Sequence, residues 1–271
     1  MTKNTSKIFF LFLIIHLFVW TLIPSLTNVN LPLDTIEALA WGSNLDWGFS
    51  KHPPMSAFAA EVFYQIFGSQ DWAYYFLSQI FVVSAFFVVW IFSKEFFKNQ
   101  NHCLISVLLL EGIYFYNFTT PEFNVNVCQL PFWSLTVYYC WRGIKQNDIA
   151  SWLLFGLFAA FGVLSKYLFV YLLVAIDIFF IYLIKKRKFN SKCLISLISF
   201  FAILTPHFVW LADSNYATFS YAFKRTGLEQ IQFLDHIYNP IIFLGKQFGI
   251  LIPFFLMFLF AASKFKPKFN F

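Results

Sequence analysis

Asp34 and Glu37 stand three residues apart, so a helix would carry both carboxylates on one face. Such a pair can cap a helix start, with Asp34 accepting from first-turn amides and Glu37 reaching back. It can also do chemistry, because one carboxylate raises the pKa of its neighbour and creates a general base. Lys51 and His52 follow in the segment Leu45-Asp46-Trp47-Gly48-Phe49-Ser50-Lys51-His52-Pro53-Pro54, where two prolines and a glycine forbid a continuous helix. They suit either snorkelling at a membrane surface or a cationic clamp on a lipid phosphate. Lys166 is a lone cation within a long apolar stretch. Glu111 and Glu122 are 11 residues apart, which a continuous helix would bring to one face. Glu111 and Asp177 fall at membrane depth, where a carboxylate is costly and either functional or a packing site. His207, beside Pro206, has the place of a satisfied histidine at a helix end, and His16 and His102 carry no chemical signal.

These residues need a scaffold, and composition says which kind. The 271 residues are 59% hydrophobic and only 12% charged. Soluble domains carry about 25% charge. A disordered chain, a nucleic-acid arm and an ordinary soluble enzyme are excluded, leaving a polytopic helical membrane protein. Cys103, Cys128, Cys140 and Cys193 lack metal-ligand spacing, so neither a zinc cluster nor a disulfide framework is expected.

A crossing helix needs about 20 apolar residues. Candidates are Ile8–Leu26, Trp72–Phe92, Cys103–Thr119, Val127–Trp141, Cys193–Ala212 and Pro240–Ala262. The first lacks a cleavage site of small residues and is expected to be a retained anchor. The stretch Ala150–Ile184 is long for one crossing and short for two. Arg142 and Lys145 precede it and Lys185–Lys188 follow it, and basic residues mark cytoplasmic loops. Two crossings with an outer turn at Ser165-Lys166-Tyr167 satisfy both flanks. The expectation is about eight transmembrane helices in a single domain, both termini inside, with 14 of the 19 Lys and Arg on the cytoplasmic side. The basic balance is then an orientation signal, and no nucleic-acid partner is expected. Two long segments face outward, 27–71 and 213–239. Asp34–Trp41 and Met55–Phe67 are expected as short helices in the first of them, the second amphipathic and interfacial.

Asp34-x-x-Glu37, Leu45-Asp46-Trp47-Gly48 and Lys51-His52-Pro53-Pro54 together resemble the first-loop signature of bacterial integral-membrane glycosyltransferases. These form the GT-C class, relatives of the protein O-mannosyltransferases and the lipid A aminoarabinose transferase. Thr120-Pro121-Glu122-Phe123-Asn124, Leu130-Pro131-Phe132-Trp133, Leu164-Ser165-Lys166-Tyr167 and Thr205-Pro206-His207 with Trp210 extend the resemblance, which spans about Asp34 to Arg225. It implies transfer of a sugar, with inversion, from a polyprenyl-phosphate donor to an envelope acceptor at the outer face of a bacterial cytoplasmic membrane. It implies Asp34 as general base or acceptor-positioning group with Glu37 beside it. Lys51, His52 and Lys166 become donor-phosphate contacts, and Glu122, Asn124, Tyr167, His207 and Arg225 supporting residues. At Glu122 relatives often hold Asp. No cofactor is required; if a divalent metal takes part, Asp34 and Glu122 are its candidate ligands.

Two other readings compete. A transporter or flippase of a lipid-linked sugar would use Glu111 and Asp177 for coupling. An inactive, C-terminally shortened relative is the third, since relatives usually have more spans. The absence of repeat symmetry and the crowding of polar residues into one outer loop favour the enzyme.

Overall fold

The computed structural model describes residues 2–226 and 233–262. The middle of the 213–239 segment and the basic residues Lys264, Lys266 and Lys268 lie outside the described residues. Within them every element is helical: α1 (Thr2–Thr27), α2 (Leu33–Gly42), α3 (Met55–Phe67), α4 (Asp71–Ser93), α5 (Gln100–Leu108), α6 (Val125–Gln146), α7 (Ile149–Ser165), α8 (Val170–Lys185), α9 (Ile195–Asp213), α10 (Ala217–Thr226) and α11 (Asp235–Ala262). Five helical segments are long and apolar enough to cross a membrane: those of α1, α4 and α11, and Tyr167–Lys185 and Ser191–Asp213, which add the preceding 3-10 turns to α8 and α9. The apolar α7 is shorter than these segments, at 17 residues. The protein is a multi-pass helical membrane bundle.

Asn and Asp side chains punctuate the chain. Asn99, Asn124, Asp148 and Asn190 each accept a backbone N–H at a helix start. Asn147 ends α6 in the left-handed conformation, at φ 56°. In the bundle α4 packs between α1 and α6, and α7 packs between α6 and α9. Phe9, Leu77, Phe86, Trp90, Val107 and Phe123 are buried in the largest apolar core. The α7–α9 contact depends on Gly156, where a Cβ would fall 2.0 Å from the Ser196 carbonyl oxygen.

The stretch Ala150–Ile184 breaks where the flanking charges place the turn. α7 ends at Ser165, Lys166 is extended at φ −160° and ψ 132°, and a 3-10 turn over Tyr167–Phe169 leads into α8. The expected helix Cys103–Thr119 is corrected. α5 stops at Leu108 and is followed by 3-10 turns over Leu109–Gly112 and Tyr114–Tyr116. Two causes are visible. The Asn117 side chain donates to the Glu111 carbonyl at 2.8 Å, competing with helical bonding. Gly112 lies so close to α11 that a Cβ would be 2.6 Å from Phe254 Cα. Glu111 and Glu122 therefore do not share a helix face. Glu111 pairs instead with His16 Nδ1 at 2.5 Å, so His16, expected to be inert, is the buried half of a polar pair between α1 and this turn. Of the 213–239 segment, α10 was not legible in advance, since it is only weakly apolar.

Candidate active site

The site is assembled on the first amides of α2. Pro32 precedes the helix and supplies no side-chain cap. Glu122, from the segment before α6, does so instead: its Oε1 accepts from the Asp34 backbone N–H at 3.2 Å. Thr35 Oγ1 donates to the Phe123 carbonyl at 3.2 Å, a second tie between the same two segments. The capping alternative for Asp34 and Glu37 is thereby corrected. Their carboxylates turn to Lys51, whose Nζ donates to Glu37 Oε2 at 2.5 Å and to Asp34 Oδ1 at 3.3 Å. The Lys51 side chain is 16% exposed while Asp34 and Glu37 keep 35% and 31%, so an incoming group meets the carboxylates first.

Asn124 caps α6 through Oδ1 and holds Glu122 Oε2 with its amide at 3.3 Å. Lys166 Nζ donates to Asn126 Oδ1 at 2.5 Å. Asn126 escaped the sequence reading. Its only signal was a place two residues after a capping asparagine, in a polar patch just ahead of an apolar run. Trp41 was also missed: its ring meets His52 edge-on at a centroid distance of 6.1 Å.

Burial opposes the charge on Lys51, but the Glu37 and Asp34 carboxylates outweigh it and hold its pKa above the ordinary value. Burial pulls the Lys166 pKa down, with Asp34 acting against it. His52 is pushed down to about 4, first by burial and then by the Lys51 ammonium. It is neutral near pH 7 and offers a phosphate an N–H rather than a charge. A phosphate beside it favours the protonated form. Affinity for a phosphate placed here should therefore rise as pH falls from the raised pKa of the complex toward about 4. Titrating the binding of a lipid phosphate against pH checks this, and the slope should vanish in His52→Gln.

The metal alternative does not fit these donors. Glu122 already accepts N–H groups on both oxygens, and the Lys51 ammonium lies against Asp34 where a divalent ion would be needed. Among the described residues no group of three His, Cys, Asp or Glu is arranged to hold a metal ion.

Behind the charges, the hairpin is clamped. His207 is fully buried and bonded at both ring nitrogens, to the Trp47 carbonyl at 2.6 Å and to the Tyr167 hydroxyl at 2.8 Å. Trp210 stacks on His207, and Gly48 presses on Trp210 so closely that a Cβ would sit 2.3 Å from the ring. Thr218 of α10 donates to the Phe49 carbonyl at 2.8 Å. Tyr167 and His207 thus position the loop that carries Lys51 and His52. His207→Phe keeps a ring but strands the Trp47 carbonyl and removes one partner of the Tyr167 hydroxyl, which costs about 1–3 kcal/mol. A lowered unfolding midpoint in detergent is the expected readout. Arg225 does not join the group; it lies exposed on α10 and donates to Tyr221 at 3.2 Å. The cleft between Asp34, Glu37, His52 and Asn124 holds only about 10 Å³, room for a single water. Anything larger than a water needs it to open.

The carboxylates of Asp34, Glu37 and Glu122 gather with Lys51 and Lys166 in a helical membrane protein, and the family the chain matches is one of integral-membrane glycosyltransferases of the GT-C class. The chain belongs to the dolichyl-phosphate-mannose-protein mannosyltransferase family, which matches residues 51–210. No curated protein and no solved structure gives a significant match. The family match takes in Lys51, His52, Glu122, Asn124, Lys166, Tyr167 and His207. Asp34 and Glu37 precede it and join the site through their contacts with Lys51.

Proposed function

We propose that the protein transfers a sugar from a polyprenyl-phosphate donor to an envelope acceptor at the outer face of a bacterial cytoplasmic membrane, with inversion. The observation that carries this reading is the Lys51 ammonium, inside the family match, seated on both carboxylates of α2. The acceptor hydroxyl attacks the anomeric carbon from the face opposite the phosphate. The bond from that carbon to the phosphate oxygen breaks, and its electron pair leaves with the polyprenyl phosphate. The hydroxyl proton passes to Asp34. Lys51 and Lys166 meet the charge left on the phosphate, and His52 adds an N–H donor. Glu37 steadies Lys51. A membrane-held carrier explains why the enzyme is built from membrane helices.

Mass spectrometry of envelope lipids and glycans from cells with and without the protein tests the reading. One glycoform should disappear and its unmodified acceptor accumulate; unchanged glycans would count against it.

The same reading needs eight crossings, with α5 and the turns after it, α6 and α7 added to the five segments long and apolar enough to cross. Support comes from the basic flanks of α7–α8 and from Asp34, Glu122 and Lys166 meeting at one end. A cysteine placed at position 166 should react with a membrane-impermeant reagent in intact cells. Labelling only after the membrane is opened would overturn the topology.

A further inference from the structure

From Asn126 at the site, α6 runs 20 residues to Gln146, about 30 Å at 1.5 Å per residue. At that far end lies a second set of features. A cavity of about 170 Å³ is lined by Asn147, Trp152, Leu183, Lys188, Asn190 and Cys193. Gly143 makes room for Trp152, since a Cβ there would come within 2.8 Å of the indole. Trp152 is 1% exposed, and its Nε1–H has no partner. Lys192 Nζ reaches the Asn147 carbonyl at 3.4 Å, and Asn190 donates to Asn147 Oδ1 at 2.5 Å. Lys188 lines the cavity and Lys192 reaches its rim, and Lys185, Lys186 and Arg187 stand just before Lys188 in the sequence. The neighbouring carboxylate, Asp148, is occupied in capping α7 through the Ser151 amide and hydroxyl.

Two apolar slots open beside this cavity. One of about 400 Å³ runs between α7, α8 and α9, past Phe155, Leu173, Ile176, Leu197 and Phe200, and shares Phe180, Phe189 and Cys193 with the polar cavity. The other, of about 220 Å³, runs between α6 and α8, past Val137, Cys140, Ala175 and Phe179, and shares Ile144 with it. α8 stands between the slots and buries only Leu172. Asp177 borders the larger slot and is itself exposed.

We propose that this end binds one anionic diacyl phospholipid, with its phosphate in the polar cavity and one acyl chain in each slot astride α8. Each part answers a need of the site. Water satisfies the polar cavity but not the slots, whose walls are mostly Phe, Ile, Leu and Ala and suit acyl chains. A headgroup oxygen gives the Trp152 N–H an acceptor. The basic rim selects a negative headgroup. The sugar carrier is a poor occupant, because its one chain leaves a slot empty and its phosphate belongs at the other end of the bundle.

Native mass spectrometry of the purified full chain tests this with phosphatidylglycerol, phosphatidylcholine and polyprenyl phosphate. One phosphatidylglycerol should bind about tenfold more tightly than phosphatidylcholine. Lys188→Gln with Lys192→Gln should weaken it by about fivefold per lysine, as surface cations do with anionic lipid. Trp152→Phe, which keeps the ring and removes the N–H, should weaken it further. The lysine pair is exposed, so that variant folds even where Trp152→Phe does not. Equal retention of the two phospholipids, or an unchanged affinity in the lysine variant, would overturn the proposal. Displacement of phosphatidylglycerol by an equimolar amount of polyprenyl phosphate would assign the slot to the carrier instead.

Discussion

Asp34→Asn should lower sugar transfer by about 10²- to 10⁴-fold, the usual worth of general-base help, while leaving the fold intact. A hydroxyl attacking an anomeric carbon must shed its proton, and an amide cannot take it. The fold should survive because nothing that starts α2 uses the Asp34 carboxylate. Glu122 caps the backbone N–H of residue 34, which Asn retains, and Thr35 keeps its bond to Phe123. The Asn oxygen still accepts from Lys51, and Glu37 holds that ammonium at 2.5 Å. Donor binding should therefore change little. Glu37→Gln should cost less in transfer, and its effect should fall on donor use because it loosens Lys51. Transfer rates and donor affinity measured side by side separate the two.

Lys166→Ala should weaken donor use by about 10- to 150-fold, the range of a charge-assisted contact worth about 1.5–3 kcal/mol. His52→Ala should act in the same direction. Lys166 gives up one hydrogen bond, to Asn126, so stability should barely move. The loss should appear in donor KM or kcat/KM and not in acceptor KM. Unchanged donor kinetics in both variants would return these residues to membrane-surface contacts.

Much of this arrangement could be read from the chain, for reasons tied to particular residues. Charge on both flanks of Ala150–Ile184 located the break at Lys166, because orientation rules depend on where cations fall and not on packing. Pro54 and Gly68 bound α3 at the expected Met55–Phe67, since α3 begins directly after the proline and ends where Gly68 takes φ 66°. The continuous helix expected over Cys103–Thr119 was misread because its break comes from Gly112 lying against Phe254 and from Asn117 turned back onto Glu111. Hydropathy registers neither. Asp34 and Glu37 were found by spacing, but spacing could not choose between a cap and a lysine partner 14 residues further on. Glu122 made that choice from 88 residues away. Asn126 and the His207 clamp on Trp47, which bridges 160 residues, are long-range contacts of the same kind.

The most direct measurement of the central claim is transfer itself. Purified protein in proteoliposomes is given radiolabelled polyprenyl-phosphate sugar and an extract of envelope acceptors, beside Asp34→Asn protein of equal fold. Label should leave the carrier and appear in the acceptor with inverted anomeric configuration, and Asp34→Asn should transfer it at least about 100-fold more slowly. Label that stays on the carrier with the wild-type protein, or moves equally fast with a well-folded Asp34→Asn protein, would contradict the account.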